Sequence, residues 1–343
     1  MVQGVVFCSH PPAERERLFA AADYVTGDAF HVECCRACGL AQTRPRPRPA
    51  EMGRYYPVTW YRDGARGHLP AIAFQAQRAL YRRRATRVET MCGGRPGRVL
   101  DIGCGSGLLL QEFRRRGWRC EGTELSERIA GRARRTAGVR VRVGELTALH
   151  FQGSRFDAIV LWHVLEHVPD PAGVLAEVAR LLRPGGIAMV GVPNFGSPEA
   201  RLTRAGWYHL AVPRHLSHFT YPTITRLIAE AGLRIRRASF LAPEYDTISF
   251  VQSTLNCLGV RRNALSNWLS GREPRRDVGR SAVVASVVLA LPLAAVAVPV
   301  TVLVGLARRG ATMSLLVEKP PGGAHPGPGP GSACPPLHRA SDR

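Results

Sequence analysis

Between residues 98 and 241 the apolar positions switch period repeatedly. "RVLDIG" (98–103), "RCEGTE" (119–124), "VRVRVG" (139–144), "FDAIVLW" (156–162), "GIAMVGVP" (186–193) and "LRIRRASFL" (233–241) read as strands. Between them, 107–117, 126–138, 170–186 and 221–232 read as helices, with glycine at or just past their ends at Gly117, Gly138, Gly185 and Gly232. Strands alternating with helices of this length predict an α/β, doubly wound, mostly parallel sheet covered on both faces, and this core is assigned to 92–242. "ATMSLLVEKP" (311–320) reads as one more strand, with 311–319 rejoining the core.

The flanks are different. Residues 46–91 join a Pro/Arg/aromatic connector (44–64), too proline-rich for a helix, to a basic helix over 69–91 carrying Arg78, Arg82, Arg83, Arg84 and Arg87. Residues 320–343 are Pro/Gly-rich and are expected to be disordered. Within 243–310 lies an uncharged apolar run, 281–306, with Arg280 before it and Arg308 and Arg309 after it. It is long enough to cross a bilayer, but Pro292 and Pro299 interrupt it.

Composition adds a basic bias, with net charge +21 over 343 residues. Of the 47 basic residues only Lys319 is lysine, and the arginines are spread along the chain. This reads as a solvated basic surface suited to anionic headgroups rather than a nucleic-acid groove. The first eighteen residues lack a secretory pattern, so the bulk of the chain is expected in the reducing cytoplasm.

The chemistry centres on "VLDIGCGSG" (99–107), a strand entering a loop with Gly103, Gly105 and Gly107 and then a helix. Such glycines let a ligand approach main-chain N–H groups. The loop alone is compatible with NAD, FAD or another nucleotide; it is not a phosphate-binding G-x-x-x-x-G-K-[ST]. Glu124, at the end of the next strand, is placed to accept from ribose hydroxyls.

Together with "GEL" (144–146), "FDAIVLWHVLEHVPDP" (156–171) and "LLRPGGIAMVGVPN" (181–194), these residues resemble the class I S-adenosylmethionine-dependent methyltransferases. The resemblance implies a Rossmann-like seven-stranded sheet whose last strand returns antiparallel. It implies S-adenosylmethionine as cofactor, held by Asp101, Gly103, Cys104, Gly105 and Gly107, with Glu124 on the ribose. Glu145 and Leu146 would lie by the adenine, and Trp162 and His163 would line the pocket.

"HVLEH" (163–167) matches an inverted zincin pattern, but it sits where this family places "LEH" after its fourth strand. Some quinone-pathway O-methyltransferases carry E-x-x-E-H there and use it for a divalent metal. Here His163 replaces the first acid, which argues against Mg²⁺. His167, and His215 and His218 in "VPRHLSHFTYPT" (212–223), are the candidate general bases for a hydroxyl acceptor. Any of them is equally compatible with a structural hydrogen bond.

Residues 1–45 read as a small zinc-ribbon-like module. Cys35-x-x-Cys38 is half a ribbon, and Cys8 with His10 would complete a four-ligand set; reduced thiols are the alternative. Methyltransferases headed by such a ribbon exist, and several act on sugars or secondary metabolites.

If 312–318 is the family's last strand, both flanks of 281–306 lie on the cytoplasmic side, in keeping with their arginines. The expectation is a helical hairpin bent near Pro292 and dipping into the inner leaflet, with 248–276 as an interfacial platform; a single span is the alternative. The sequence thus reads as a methyltransferase at the cytoplasmic face of a bacterial membrane. Its acceptor would be a lipid-linked small molecule: a quinone precursor, a polyprenyl-linked sugar or a glycolipid. The competing reading is a catalytically silent membrane scaffold that keeps the fold.

Overall fold

The structure, a computed structural model, describes residue 8 and residues 10–56, 71–270 and 280–321. Most of the expected disordered tail, residues 57–70 of the connector and helix start, and 271–279 of the platform lie outside the described residues.

In chain order the elements are β1 (Arg15–Ala22), β2 (Ala29–Cys35), β3 (Ala41–Arg44), α1 (Ala71–Met91), β4 (Arg98–Ile102), α2 (Leu108–Arg115), β5 (Arg119–Glu124) and α3 (Glu127–Ala137). There follow β6 (Arg140–Val143), β7 (Phe156–Trp162), α4 (Pro171–Leu181), β8 (Leu182–Pro193), α5 (Pro198–Thr203), β9 (Ser217–His218) and α6 (Tyr221–Glu230). The chain continues with β10 (Arg234–Ser239), α7 (Pro243–Cys257), α8 (Ala264–Leu269), α9 (Arg280–Leu306) and β11 (Thr312–Glu318).

The large sheet has the order β10-β11-β8-β7-β4-β5-β6. β6, β5, β4, β7 and β8 run parallel, and β11 is antiparallel to both β8 and β10. Strand order reverses between β4 and β7, so the carboxyl ends of these two strands open a crevice where ligands bind in such sheets. Alternation along β7 divides the core. Ile159 and Leu161 pack with Leu175, Val178, Ile224 and Leu227 from α4 and α6, whereas Ala158 and Val160 pack with Ala85, Val88 and Phe113 from α1 and α2.

Two boundaries differ from expectation. The helix expected to run to residue 186 stops at Leu181, because Pro184 disfavours helical backbone just before it and β8 begins at Leu182 against Phe156. The proline-rich connector folds into a 3₁₀ turn at Pro49–Tyr55.

The cysteine-bearing head is stitched into the body. β1, β2 and β3 form an antiparallel sheet whose fourth strand is β9, pairing Ala41 with His218 and Gln42 with Ser217. Beside this seam Arg214 donates to Asp23 at 2.8 Å and to the Tyr55 carbonyl at 2.9 Å, with both charged side chains buried.

The hairpin expected within 281–306 is instead one helix, α9, running straight through Pro292 and Pro299. A helical proline frees the carbonyl four residues earlier, here those of Val288 and Ala295, and both residues are exposed, so core packing is undisturbed. The returning partner is α7. Val251 and Leu255 of α7 and Leu265 of α8 pack with Val287, Ala290, Leu293, Ala294 and Ala297, and Thr247 lies 3.5 Å from Thr301. The opposite side of α9 stays open: Val284, Val288, Leu291, Val296, Val298, Leu303 and Leu306 are all more than half exposed.

Candidate active site

β4 delivers the chain into the crevice, and three left-handed glycines turn it out again, with φ of +64° at Gly103, +53° at Gly105 and +78° at Gly107. Their surroundings differ. A side chain on Gly103 would strike Val164, and one on Gly107 would come within 3.0 Å of the Ala133 main chain, while one on Gly105 would meet nothing within 4 Å. Gly107 therefore lets α2 and α3 pack closely, and Gly105 faces open space.

Glu124, at the tip of β5, holds this loop. One carboxylate oxygen accepts from the Gly105 N–H at 3.1 Å, and the other from Leu125 N–H at 2.9 Å and Ser126 N–H at 3.4 Å. A carboxylate has about four acceptor positions, so capacity remains for ribose hydroxyls. Asp101, buried beneath the loop, is pushed up to about 8 by burial and by the charge of Glu124. The Cys104 thiol is pushed up by burial; its N–H donates to the Thr123 carbonyl and ties loop to strand. Glu145 is exposed at the end of β6, and Leu146 is buried in the core with Phe151. This set, with an open Gly105 and an acid at the next strand tip, fits the nucleoside end of S-adenosylmethionine.

At the tip of β7 the chain turns toward the other side of the crevice. Trp162 lies under the Arg84 guanidinium at 4.0 Å and donates to the Tyr245 hydroxyl at 3.1 Å, while Arg84 pairs with Glu244 at 2.8 Å. His163, left-handed at φ +54°, packs against Tyr245 and stacks on His209 with ring centroids 6.0 Å apart. Its Nδ1 lies 2.9 Å from Glu166 Oε1. Among the described residues, His163 Nε2, Glu166 Oε2 and His209 Nε2 are buried here without a hydrogen-bond partner. Burial draws His209 down to about 3, so it stays neutral at ordinary pH.

The three candidate bases separate by geometry. His218 is buried, with Nε2 at 2.9 Å from Thr43 Oγ1. The Thr43 hydroxyl donates to the His215 carbonyl, so His218 must be the donor to Thr43. His215 is buried and donates from Nδ1 to the His209 carbonyl at 2.7 Å. Burial lowers His218 to about 3 and takes His215 well below its ordinary value. His167 is only half-buried. Its Nδ1 lies 3.0 Å from the Arg214 carbonyl and 3.2 Å from the Tyr56 hydroxyl. A carbonyl only accepts, so Nδ1 carries the proton and Nε2 carries the free lone pair. Burial lowers its proton affinity too.

Glu166, His167 and His215 each bring one ligand atom within 4.8 Å of the others. Two imidazoles and one carboxylate do not suit Mg²⁺, which takes oxygen ligands. The head is different: Cys8, His10, Cys35 and Cys38 bring four ligand atoms within 4.8 Å, with Cys8 Sγ 3.5 Å from Cys38 Sγ and 3.4 Å from His10 Nδ1. A tetrahedral zinc with bonds of about 2.0–2.3 Å spaces its ligands by roughly 3.5–3.8 Å, so this set fits one ion.

Sequence reasoning missed His209, Tyr56, Tyr245 and the Arg84–Glu244 pair. His209 left a trace, since it stands six residues before His215 in a histidine-rich stretch.

Residues 74–238 match the methyltransferase domain family. The chain is 41% identical over 171 residues to a ubiquinone biosynthesis O-methyltransferase of Aromatoleum aromaticum, covering 46% of this chain and 72% of that protein. It is 34% identical over 155 residues to the protein of the same name from Aeromonas salmonicida, covering 41% and 65% respectively. Among solved structures it is similar to an S-adenosylmethionine-dependent methyltransferase from Archaeoglobus fulgidus (TM-score 0.45, 16% identity, 71% of this chain and 94% of that one). With the glycine loop, an acid at the tip of the next strand and the antiparallel last strand in place, the chain belongs to the class I S-adenosylmethionine-dependent methyltransferases.

Proposed function

We propose that the protein methylates a hydroxyl oxygen on a small, lipid-linked acceptor held at the cytoplasmic face of the membrane. The observation that carries this reading is the cluster of unpartnered buried atoms on His163, Glu166 and His209 beside the free Nε2 of His167. Leaving three polar atoms buried and unpaired costs on the order of 1–3 kcal/mol each, a cost relieved when a polar acceptor fills the site. S-adenosylmethionine, when bound, would supply an electrophilic methyl carried on a sulfonium, with a neutral thioether as the leaving group. The chain's residues then act by positioning. Glu166 Oε2 accepts from a neighbouring polar hydrogen of the acceptor, such as a second hydroxyl, and His163 and His209 fix its ring or sugar. His167 takes the hydroxyl proton at Nε2 while its Nδ1–H stays on the Arg214 carbonyl.

The named relatives are O-methyltransferases of ubiquinone biosynthesis, which supports an oxygen acceptor and a quinone-like precursor. The open apolar side of α9 supports a membrane-proximal one. Zinc in the head is proposed as a structural ion that fixes the ribbon against α6, where Arg226 donates to the Cys38 carbonyl at 2.8 Å.

The test is His167→Asn, which keeps a donor near the Arg214 carbonyl and removes the base. S-adenosylhomocysteine should bind as in the wild type, while turnover on a catechol or quinol acceptor falls about 100-fold or more. Undiminished turnover would remove His167 from this role. Failure of the wild type to bind S-adenosylhomocysteine would favour the scaffold reading.

A further inference from the structure

A cavity of about 330 Å³ opens on the carboxyl-end rim of the sheet, away from the glycine loop. Its walls include Asn194 after β8, the first turn of α6 from Thr220 to Thr223, and Phe240 after β10. Three guanidinium groups complete it: Arg201 of α5, and Arg308 and Arg309 just past α9. No carboxylate lines it, and among the described residues none of the three arginines has an acidic partner. The positive end of the α6 dipole also meets the cavity.

The arginines are held in place. Gly310 packs so tightly on the Phe240 carbonyl that it has no room for a side chain, and Gly305 is pressed against Leu241 and the same carbonyl. Arg308 is fixed in the left-handed region at φ +59°, with its guanidinium 5.7 Å from the centre of the Phe240 ring. A non-glycine residue held there costs energy, so the turn that aims Arg308 and Arg309 is imposed by packing.

Arg308 and Arg309 follow the last turn of α9, in which Leu303 and Leu306 are exposed, so the basic wall of the cavity comes next in the chain after the open apolar side of the helix. A cationic pocket at the end of an exposed apolar helix face matches an amphiphile with an anionic head and a hydrocarbon tail. We infer that this cavity binds the phosphate headgroup of an anionic membrane phospholipid, with the acyl chain lying along the outer face of α9. The inference rests on the membrane-surface reading above and gives it a defined headgroup site.

The test uses the full-length protein and vesicle co-sedimentation at low salt. Vesicles of phosphatidylcholine alone are compared with vesicles containing phosphatidylglycerol. The triple variant R201Q/R308Q/R309Q should lose on the order of 100-fold in affinity for the anionic vesicles, at about fivefold per arginine, with S-adenosylhomocysteine binding unchanged. A control, R115Q/R119Q/R132Q, removes the same charge from the far side of the sheet and should cost far less. Equal losses in the two triples would reduce the effect to net charge and overturn the site. The variant L291S/L303S should weaken binding to both vesicle types.

Wild-type protein that ignores every vesicle would sink the membrane reading itself. Wild-type binding that the arginine triple leaves intact would sink the headgroup site alone. Inorganic phosphate titrated by calorimetry should bind at least 100-fold more weakly than vesicle lipid. Tight binding of phosphate without vesicle binding would assign the cavity to a soluble anion and overturn the proposal.

Discussion

The second and third glycines of the loop after β4 make opposite predictions for the same added methyl group. Gly105 and Gly107 both sit in the left-handed region, where a non-glycine residue costs roughly 1–2 kcal/mol. In Gly105→Ala the new carbon meets nothing within 4 Å, so that strain is the whole expected loss of stability. At about 2–4 °C per kcal/mol, the melting temperature should fall by only a few degrees. If a nucleoside approaches the loop through this open space, as proposed, a clash of about 1–3 kcal/mol there would weaken S-adenosylhomocysteine by roughly 5- to 150-fold. In Gly107→Ala the carbon lies 3.0 Å from both the Cα and the carbonyl oxygen of Ala133, and main chain cannot yield as a side chain can. Strain and overpacking should together cost about 2–5 kcal/mol, with the larger fall in melting temperature. Calorimetry gives affinity and thermal unfolding gives stability for both variants. If Gly105→Ala binds S-adenosylhomocysteine like the wild type, or loses as much stability as Gly107→Ala, the assignment of one glycine to ligand approach and the other to helix packing is wrong.

Three further outcomes follow from the same geometry. Asp23→Ala strands the buried Arg214 charge and should cost about 3–5 kcal/mol in denaturant unfolding, and Asp23→Ala with Arg214→Met should recover part of it. Stability should peak between about pH 5 and pH 6, where the opposing contributions of two raised acids and two lowered histidines offset one another. Burial raises Glu199 to about 7 and Asp246 to about 8, so these acids hold protons in the folded state that the unfolded chain releases, and stability declines as pH rises toward 8. His209 and His218, lowered to about 3, bind protons only when unfolded near neutrality; their contribution is lost as pH falls below about 6.5 and outweighs that of the acids below about pH 5. Glu199→Gln should flatten the alkaline limb in a series of denaturant titrations. Purified protein should carry one zinc per chain by elemental analysis, and cobalt in its place should show tetrahedral visible bands that Cys38→Ser abolishes.

In the large sheet β4, β7, β8 and β11 were legible as apolar runs bounded by turn residues, β5, β6 and β10 by their place between helix signals, and the glycine loop by its company with Glu124 and the motifs that follow. β1 was not legible. Its sequence, "RERLFAAA", shows no clean alternation: only Ala21 is fully buried, and Leu18 and Phe19 are adjacent half-buried residues on the same core. β9 is two residues long and has meaning only beside β3. α9 hid its packing for the opposite reason. Nearly every position in it is apolar, so nothing in the sequence separates the inner Ala290, Ala294 and Ala297 from the outer Val288, Leu291 and Val298. The cofactor side of the candidate site could be read from neighbouring motifs. The acceptor side could not, because the Arg214 carbonyl that fixes the His167 tautomer is 47 positions away, and His209 joins His163 only through a turn that the folded body imposes.

The β3–β9 seam has a consequence for synthesis. The outer edge of β3 stays unpaired until Ser217 and His218 leave the ribosome, about 170 residues later. At roughly 5–20 residues per second this delay lasts on the order of 10–30 s. Throughout it, the head displays a bare strand edge open to pairing with other nascent chains. Cys35 and Cys38, by contrast, are close neighbours in sequence and ready to seize a metal ion within that interval, so metal capture would guard the young chain before its own body arrives to cover it.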